Sequence, residues 1–466
     1  MLLGVVAIAA VVVVLLARGG EGPGPRHLAP GRGTTDTTTD PLAYDAARRP
    51  DFEARAADGL AHVLYAKSPG GIVATARRVA ALRPLIDDVA RRTHTDAPTL
   101  EGIVLLESAG RPDARASNDL DSAVGLTQIL AQTATGLLGL KVDVAASEKL
   151  TGQIGRSHSA RHRARLAAQR RRVDERFDPR KSLEATTRYL AFAKGRLGGR
   201  DDLAVESYHM GVGNLQRALA AYGAGNIPYA QLFFDSTPVR HAAAWRVLAA
   251  LGDDSATYLW RVRAAEDVMA LYRSGEAKLA AQAALQAGPS AERVMRPVGG
   301  VGGSDTPRYA NDAALRTDDL VALDAAVLGG SGVRVSRALA AGPASRRTLR
   351  LEAAALLRYL GIAVASIAHT QPLVVTAATR TLADEATTGE GDAGAEASPS
   401  LHTTGYAVDI SRDYRSPAQA QAFQFWLDRL TALDVIAWVR EPTSIHIAVG
   451  PRAKDLLPSL LRGQTP

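Results

Sequence analysis

Residues 101–108 read EGIVLLES, and this stretch decides how the first half of the chain is interpreted. Four apolar side chains precede Glu107, so the pattern predicts a buried helix that ends near Gly110. Glu107 would then emerge at the helix C-terminus, where apolar neighbours and the helix dipole disfavour a negative charge. A carboxyl group whose pKa is raised in this way can act as a general acid near neutral pH. Taken alone, the stretch fits an ordinary surface glutamate at a helix end better.

Two later segments change this balance. GLTQI occupies 125–129, 18 residues after Glu107, and SYHMGVGN occupies 207–214. In this order the three segments resemble the soluble lytic transglycosylase family, which is related to goose-type lysozyme. The resemblance also takes in FDPRKSLEATTRYL at 177–190, and Tyr258.

The resemblance implies an all-α, lysozyme-like domain that cuts peptidoglycan between MurNAc and GlcNAc without a cofactor. It implies that Glu107 is the sole acid and base and that Ser108 helps to place Glu107 or the muramyl group of the substrate. Gly125 and Gln128 would line the sugar cleft, and the hydroxyl of Tyr208 would hydrogen-bond the catalytic carboxyl. With one carboxylate, the substrate N-acetyl group would stabilise the developing positive charge. The MurNAc 6-hydroxyl would then close a 1,6-anhydro ring without water.

Two alternatives to this function stay open. The chain departs from the family pattern at two positions of the cleft lining: it carries Thr127 where the family usually has Met, and His209 where it usually has Asn. These departures bear on which sugars the cleft prefers more than on the acid. Asp113, Asp119 or Asp121 could hold a water and make the domain a lysozyme-type hydrolase of the same bond. Loop aspartates are more often turn formers or helix caps. A non-catalytic protein that binds the cell wall is the other alternative.

A second group of candidate residues lies near the C-terminus, in SLHTTGYAVDI at 400–410 and SIHIAV at 444–449. His402, Asp409 and His446 supply two imidazoles and one carboxylate, which leaves a fourth zinc position open, as catalytic zinc sites do. Together the two segments resemble the zinc D-alanyl-D-alanine carboxypeptidase family, whose motif reads S-x-H-x-x-G-x-A-x-D.

The carboxypeptidase resemblance extends to VVTAATR at 374–380, and it implies that Arg380 polarises the substrate carbonyl or holds the substrate carboxylate. The family's general base lies three residues before the last histidine, and here that position is Thr443. Glu441 is the nearest glutamate, and a local bulge would be needed to bring it to the metal. Without a base, the domain would bind a metal or wall peptides and not cut them.

These patterns predict a mixed multidomain protein, in which the all-α lysozyme-like domain precedes a small α+β zinc-peptidase-like domain. The predicted segments are 1–18, signal anchor or signal peptide; 19–42, flexible linker; 43–85, helical lead-in; 86–275, lytic transglycosylase domain; 276–310, linker; and 311–466, carboxypeptidase-like domain. Within the last segment we expect helices at 317–328 and 345–360 and short strands at 372–380, 405–410 and 444–449.

Charge and composition indicate the partners. Residues 2–17 are uncharged and apolar, so we predict export to the cell envelope, with the protein either anchored in the membrane or secreted. The absence of cysteine excludes disulfides and zinc–thiolate sites. Eight arginines in 156–176 suit anionic wall polymers or lipid head groups, although a solvated helix or loop is the simpler interpretation. No aromatic residue lies among them, which argues against nucleic acid.

Overall fold

The computed structural model describes residues 43–237, 240–251, 254–286, 306–315, 320–368, 372–388, 400–433, 435–450 and 453. The chain divides into two compact units. The first contains the described residues of 63–229 and 253–283, and the second contains those of 43–62, 230–252 and 284–466. This division differs from the predicted boundaries, because 43–62 and 230–252 group with the C-terminal unit.

Helices make up most of the described residues between 43 and 286. They are α1 (Arg49–Lys67), α2 (Ile72–Ala81), α3 (Arg83–Thr93), α4 (Ala97–Ser108), α5 (Ala131–Gly136), α6 (Val144–Arg156), α7 (Ala160–Val173), α8 (Pro179–Arg196), α9 (Asp201–Met210), α10 (Val212–Tyr222), α11 (Tyr229–Asp235), α12 (Ala242–Ala249), α13 (Tyr258–Ser274) and α14 (Glu276–Gln286). The described part of the first unit contains isolated β-bridges and no strand. It is all-α, as predicted. Helix α14 lies within the predicted 276–310 linker, so that linker begins with a helix.

Helix α4 is the buried centre of the first unit. Asp96 caps its first turn by accepting a hydrogen bond from the Thr99 amide at 2.9 Å. In the apolar run, Ile103 and Val104 are inaccessible to solvent and Leu105 is buried. Gly102 lets the helix approach α13 closely, since a Cβ there would lie 2.9 Å from the carbonyl oxygen of Val262. The helix ends at Ser108, and the capping residue Ala109 has a left-handed φ of 54°, which confirms the predicted helix end.

A buried arginine holds the loop that follows α4. Arg176 is inaccessible to solvent and pairs with Asp174 at 2.9 Å. Its guanidinium also donates to the carbonyl oxygens of Leu120 at 2.7 Å and Ile129 at 3.3 Å. The loop passes so close that a Cβ on Gly125 would lie 1.9 Å from the Arg176 carbonyl oxygen. Gly125 also has a φ of +86°, so only glycine fits there without strain.

The C-terminal unit combines helices and two small sheets. Its elements are α15 (Asp312–Leu315), β1 (Leu320–Ala322), α16 (Ala325–Leu328), β2 (Val333–Val335), α17 (Arg337–Ala341), β3 (Thr348–Arg350), α18 (Leu351–Ala368), β4 (Leu373–Ala377), α19 (Leu382–Thr388), β5 (Ala407–Ser411), α20 (Pro417–Ala432), β6 (Ile436–Arg440) and β7 (Ser444–Val449). The larger sheet has the order β2-β4-β5-β7-β6, in which only β2 and β4 are parallel. The predicted α+β character is therefore present.

Some local predictions for this unit are wrong. The helix expected at 317–328 is interrupted by β1, and the helix expected at 345–360 starts only at Leu351, after β3. The strands β1 and β3 are three residues long and pair with each other from distant positions, so a local pattern does not reveal them. Strand β6, which the patterns also do not predict, is five residues long and pairs with β7, the next strand along the chain.

Two contacts explain why segments from the first half of the chain belong to the C-terminal unit. Arg429 of α20 is buried and donates a hydrogen bond to the carbonyl oxygen of Phe233 at 3.1 Å. A Cβ on Gly59 of α1 would lie 1.9 Å from the carbonyl oxygen of Thr431. Close packing of this kind cannot be inferred from residue order.

Among the described residues, no helix has the length and apolarity needed to cross a membrane. The predicted membrane segment at 2–17 and the 19–42 linker lie outside the described residues. Most of the predicted linker at 276–310 does so as well.

The Arg176 network predicts a large difference between two arginine substitutions. Arg176→Met should lower the free energy of unfolding by about 3–5 kcal/mol, because Asp174 would be left buried without its partner. Urea unfolding followed by circular dichroism measures this change. The control is Arg180→Met, which breaks the ion pair with Asp88 on the surface and should cost about 0–1 kcal/mol. Equal effects of the two substitutions would contradict the role given to Arg176.

Candidate functional site

Glu107 lies in the last turn of α4, as the sequence predicts. The residue is partly accessible to solvent. Its Oε1 accepts a hydrogen bond of 2.7 Å from the Tyr258 hydroxyl. Burial of the carboxyl group raises the pKa of Glu107 to about 7, and the bond from Tyr258 acts in the opposite direction. The group can therefore give and take a proton near neutral pH.

Tyr258 is the residue that holds the carboxyl of Glu107. It starts α13 and is 3% exposed. Its ring stacks with those of Tyr208 and His209, at centroid distances of 6.0 and 5.4 Å. Burial, and next the charge of Glu107, raise the pKa of Tyr258 well above its usual value. Tyr258 is therefore a neutral hydrogen-bond donor at any working pH.

The predicted hydrogen bond from Tyr208 to Glu107 is wrong. The Tyr208 hydroxyl donates to the carbonyl oxygen of Thr127 at 2.8 Å and lies 3.2 Å from the hydroxyl of Thr186. Thr127 is itself buried and bonded to Ser182 at 2.7 Å. Tyr208 thus joins the loop after α4 to helix α8. Tyr208 still lies close enough to the acid for the charge of Glu107 to act on it. Burial raises the pKa of Tyr208 most, and the charge of Glu107 raises it further.

The other residues predicted to line the cleft have identifiable structural roles. Ser108 is buried, and its hydroxyl donates to the carbonyl oxygen of Val104 at 3.2 Å, within α4. Gly125 gives clearance to the backbone at Arg176. Gln128 has a φ of 52°, and its Nε2 donates to the carbonyl oxygen of Gly125 at 2.8 Å. Contact of these residues with a sugar stays a prediction.

Two further polar residues lie near Tyr258: Glu206, to which the sequence assigns no role, and His209, which the sequence places only in the cleft lining. Glu206 is buried, and its Oε2 accepts a hydrogen bond of 2.8 Å from the Leu259 amide at the start of α13. It therefore fixes the turn that carries Tyr258. His209 is held by a 2.8 Å contact between its Nδ1 and the Ser255 hydroxyl. A glutamate within the apolar run LAVES is the signal that could have revealed Glu206.

Two aspartates of the loop after α4, Asp119 and Asp121, lie in a turn. Asp119 accepts a hydrogen bond from the Asp121 amide at 2.8 Å, and its own carbonyl oxygen is bonded by Ser117 at 3.1 Å. Both aspartates are exposed. No hydrogen bond between this loop and Glu107 is present among the described residues.

A second cluster lies in the C-terminal unit. Asp409 of β5 and His446 of β7 are directly opposite each other, and His402 lies in the 3-10 turn before β5. The Asp409 Oδ1 lies 2.8 Å from the His446 Nδ1 and 3.2 Å from the His402 Nε2. All three residues are buried, and one ligand atom from each lies within 4.8 Å of the others. The group could therefore hold a metal ion.

The donor atoms of this cluster fit zinc. The Nδ1 of His402 lies 2.5 Å from the carbonyl oxygen of Ala378, so it carries the proton in the neutral ring. The lone pair of the His402 Nε2 then faces the Asp409 Oδ1. Both atoms are electron-rich, so this arrangement needs a proton or a cation between them. Burial would raise the pKa of Asp409, but the charges and hydrogen bonds of His402 and His446 outweigh it and hold the pKa well below its usual value.

Arg380 belongs to this cluster, whereas Glu441 does not. The Arg380 guanidinium lies 3.5 Å from the Asp409 carboxylate, and the Arg380 amide donates to the carbonyl oxygen of His402 at 3.0 Å. Glu441 lies in the turn between β6 and β7, where its Oε2 accepts a hydrogen bond from Ser444 at 2.7 Å. Among the described residues, the potential metal ligands are the two histidines and Asp409.

Comparison with known families supports the first of the two resemblances. A family described as Transglycosylase SLT domain matches residues 152–230. At the level of the family, this match indicates transglycosylase-type cleavage of peptidoglycan. The matched segment contains Tyr208 and the whole arginine-rich stretch at 156–176, but it does not reach Glu107, Gln128 or Tyr258. No curated protein matches the chain.

The Glu107 carboxyl should titrate near neutral pH, and Tyr258→Phe should raise its pKa further. The substitution removes a hydrogen bond that favours the carboxylate form. Carbon-detected NMR titration of the glutamate carboxyl groups, with Glu107→Gln to assign the resonance, measures both values. The control is Tyr189→Phe, because the Tyr189 hydroxyl donates to the Ser207 carbonyl oxygen instead. A Glu107 pKa near 4.5, or equal shifts in the two variants, would contradict this account.

Proposed function

We propose that this protein is a peptidoglycan lytic transglycosylase that cleaves the β-1,4 bond between MurNAc and GlcNAc and leaves a 1,6-anhydroMurNAc end. The observation that carries the proposal is the partly accessible Glu107 carboxyl group held by Tyr258 at 2.7 Å, and burial raises its pKa to about 7. The family match at 152–230 supports the same class of reaction.

The proposed reaction needs one acid that later acts as a base. Protonated Glu107 gives its proton to the leaving glycosidic oxygen, and the N-acetyl group of the substrate stabilises the positive charge that develops. The hydrogen bond from Tyr258 stabilises the carboxylate formed in this step. Glu107 then takes the proton of the MurNAc 6-hydroxyl as that oxygen closes the anhydro ring, which restores the acid.

Lysozyme-type hydrolysis of the same bond is the alternative within the enzymes. It would require a second carboxylate to act as a nucleophile or to hold a water. A carboxylate so close would raise the pKa of Glu107 further. Burial raises the pKa of Glu107, the Tyr258 hydrogen bond lowers it, and no second carboxylate contributes to the shift. The Asp119 carboxylate is engaged in a turn, where it accepts a hydrogen bond from the Asp121 amide. These observations favour the lytic reaction.

For the C-terminal unit we propose a metal-binding module that trims or binds the stem peptides of peptidoglycan. His402, Asp409 and His446 would hold the metal ion, and zinc would supply a Lewis acid for a peptide carbonyl or water. Arg380 would bind the carboxylate of the peptide terminus. The bond between Glu441 and Ser444 removes the nearest candidate base, so it favours binding over cutting. One chain would then act on the glycan strand and bind the attached stem peptide, each at a high effective concentration.

This function implies work outside the cytoplasm. We propose that the protein is exported to the cell envelope, where 2–17 either anchors it in the membrane or is removed as a signal peptide. Peptidoglycan is the proposed substrate, and nucleic acid is not a proposed partner.

The transglycosylase proposal predicts that Glu107→Gln lowers glycan cleavage by at least about 100-fold, because the general acid is lost. Mass spectrometry of purified peptidoglycan digested by the full chain should show 1,6-anhydro ends for the wild type and almost none for the variant. Glu184→Gln, which alters a surface ion pair with Arg92, is the control and should cleave normally. Reducing MurNAc ends would establish hydrolysis instead. Intact strands despite tight sedimentation with sacculi would indicate a wall-binding protein.

The metal proposal predicts that the full chain binds about one zinc ion and that His446→Ala weakens binding by at least about tenfold. Equilibrium dialysis with zinc measures this directly, without any assay of activity. His158→Ala changes an exposed histidine and should leave binding unchanged. Stoichiometric zinc binding with no zinc-dependent release of terminal D-Ala would identify a binding module. Equal zinc binding by His446→Ala and the wild type would rule out the site.

A further inference from the structure

Helix α7 presents an exposed basic surface on the first unit. Six of the eight arginines between 156 and 176 are exposed: Arg156, Arg161, Arg163, Arg165, Arg171 and Arg172. The other two have structural roles. Arg170 lies 3.7 Å from the ring centroid of Phe177, and Arg176 is bonded to Asp174. The interpretation of the stretch as solvated side chains is therefore wrong for Arg170 and Arg176, and it fits the exposure of the other six.

The exposed arginines have no carboxylate partner within the described part of the chain. No Asp or Glu occurs from 156 to 173, and none of the six arginines forms an ion pair among the described residues. Elsewhere in the same unit, exposed arginines pair readily, as Arg91 and Arg92 do with Asp88. The positive charge of α7 is thus left uncompensated, which is unfavourable for the isolated protein and favourable for binding a polyanion.

Three of these arginines form a continuous stripe. At 3.6 residues per turn, Arg161, Arg165 and Arg172 project within about 40° of one another around the helix axis. They span about 16 Å along that axis. Leu166 and Arg170 lie on the buried face, so the helix is attached on one side and presents the stripe on the other. The stripe suits a linear ligand that carries negative charge at intervals.

The composition of α7 separates the possible ligands. A helix that inserts into a membrane surface needs large apolar side chains on its outer face, and the one large apolar side chain at its middle, Leu166, is buried. A binder of single-stranded nucleic acid needs aromatic side chains for the bases, and α7 has none. A flexible polymer recognised through its charges alone meets neither difficulty.

We propose that the α7 stripe is a docking site for a linear phosphodiester polymer of the cell wall. The assignment of this polymer to the wall rests on the proposed function, whereas the binding of a phosphodiester chain rests on α7 itself. The site would hold the enzyme along polymers attached to the glycan strands and leave the acid at Glu107 free to act.

The test measures binding of the full chain to purified poly(glycerol phosphate) over a range of salt concentrations. The variant Arg161→Gln/Arg165→Gln/Arg172→Gln should bind at least about tenfold more weakly at low salt. The slope of log affinity against log salt should fall by about 2, since roughly 0.7 counterions are released per contact. The matched control removes three exposed charges on other helices, as Lys67→Gln/Arg91→Gln/Arg196→Gln, and should keep most of the binding.

A second variant protects the test against misfolding. Arg161→Lys/Arg165→Lys/Arg172→Lys keeps the charges and the helix-forming side chains, so binding should return to near the wild-type level. Equal losses in the glutamine stripe variant and the matched control would overturn the proposal, as would failure of the lysine variant to restore binding. Tighter and stripe-dependent binding to poly(dT), or to vesicles of phosphatidylcholine with phosphatidylglycerol, would overturn it in favour of a nucleic acid or a membrane.

The same proteins separate this proposal from the proposed function. On glycan strands stripped of anionic polymer, the glutamine stripe variant should release anhydro ends at the wild-type rate. Stripe-dependent polymer binding by a wild type that cuts no glycan would remove the transglycosylase and leave the docking site in place.

Discussion

The burial of the Glu107 carboxyl group is the constraint on which the first unit depends. The apolar run of α4 places this group inside the unit, and burial raises its pKa to about 7. The fold therefore prefers the protonated form. Because the folded pKa is raised above the unfolded value of 4.5, the stabilisation is complete below pH 4.5 and is lost as the pH rises through 7. By linkage, the loss is on the order of 3 kcal/mol. The folded state therefore loses this stabilisation in the pH range where Glu107 can change between its protonated and ionised forms.

The residues around this carboxyl are held by buried polar groups. Glu206 fixes the start of α13 and thereby the hydroxyl of Tyr258, while Thr127 and Tyr208 join the loop to α8. Arg176 holds the other end of the same loop through backbone carbonyl oxygens. Each of these groups is expensive to bury and is bonded in place, so the positions around Glu107 are tightly determined.

Sequence reasoning succeeded where the controlling interactions are local. The end of α4 follows from the apolar run and the Ser-Ala-Gly sequence after Glu107, and strands β5 and β7 follow from two segments with clear patterns. It failed where two similar groups compete for one partner. Tyr208 and Tyr258 both lie near the carboxyl, and only the three-dimensional placement of α9 and α13 decides that Tyr258 donates the bond.

The boundaries between the two units could not be predicted from the sequence, because they depend on contacts between residues far apart in the chain. Arg429 looks like an ordinary helical arginine, yet it is buried against the carbonyl oxygen of Phe233, almost two hundred positions earlier. The short strands β1 and β3 likewise gain their stability from pairing with each other and not from their own residues. Composition shifts along the chain carry no record of such contacts.

The separation of Glu107 from Tyr258 along the chain has a consequence for synthesis. The two residues that share the 2.7 Å hydrogen bond are 151 positions apart. At about 5–20 residues per second, the ribosome takes roughly 8–30 s to deliver the second after the first. The loop after α4 also lacks its hydrogen bonds from Arg176 until that residue has been synthesised. A nascent chain thus carries Glu107 for many seconds without the tyrosine that holds it, and the hydrogen bond between them forms only once α13 has emerged.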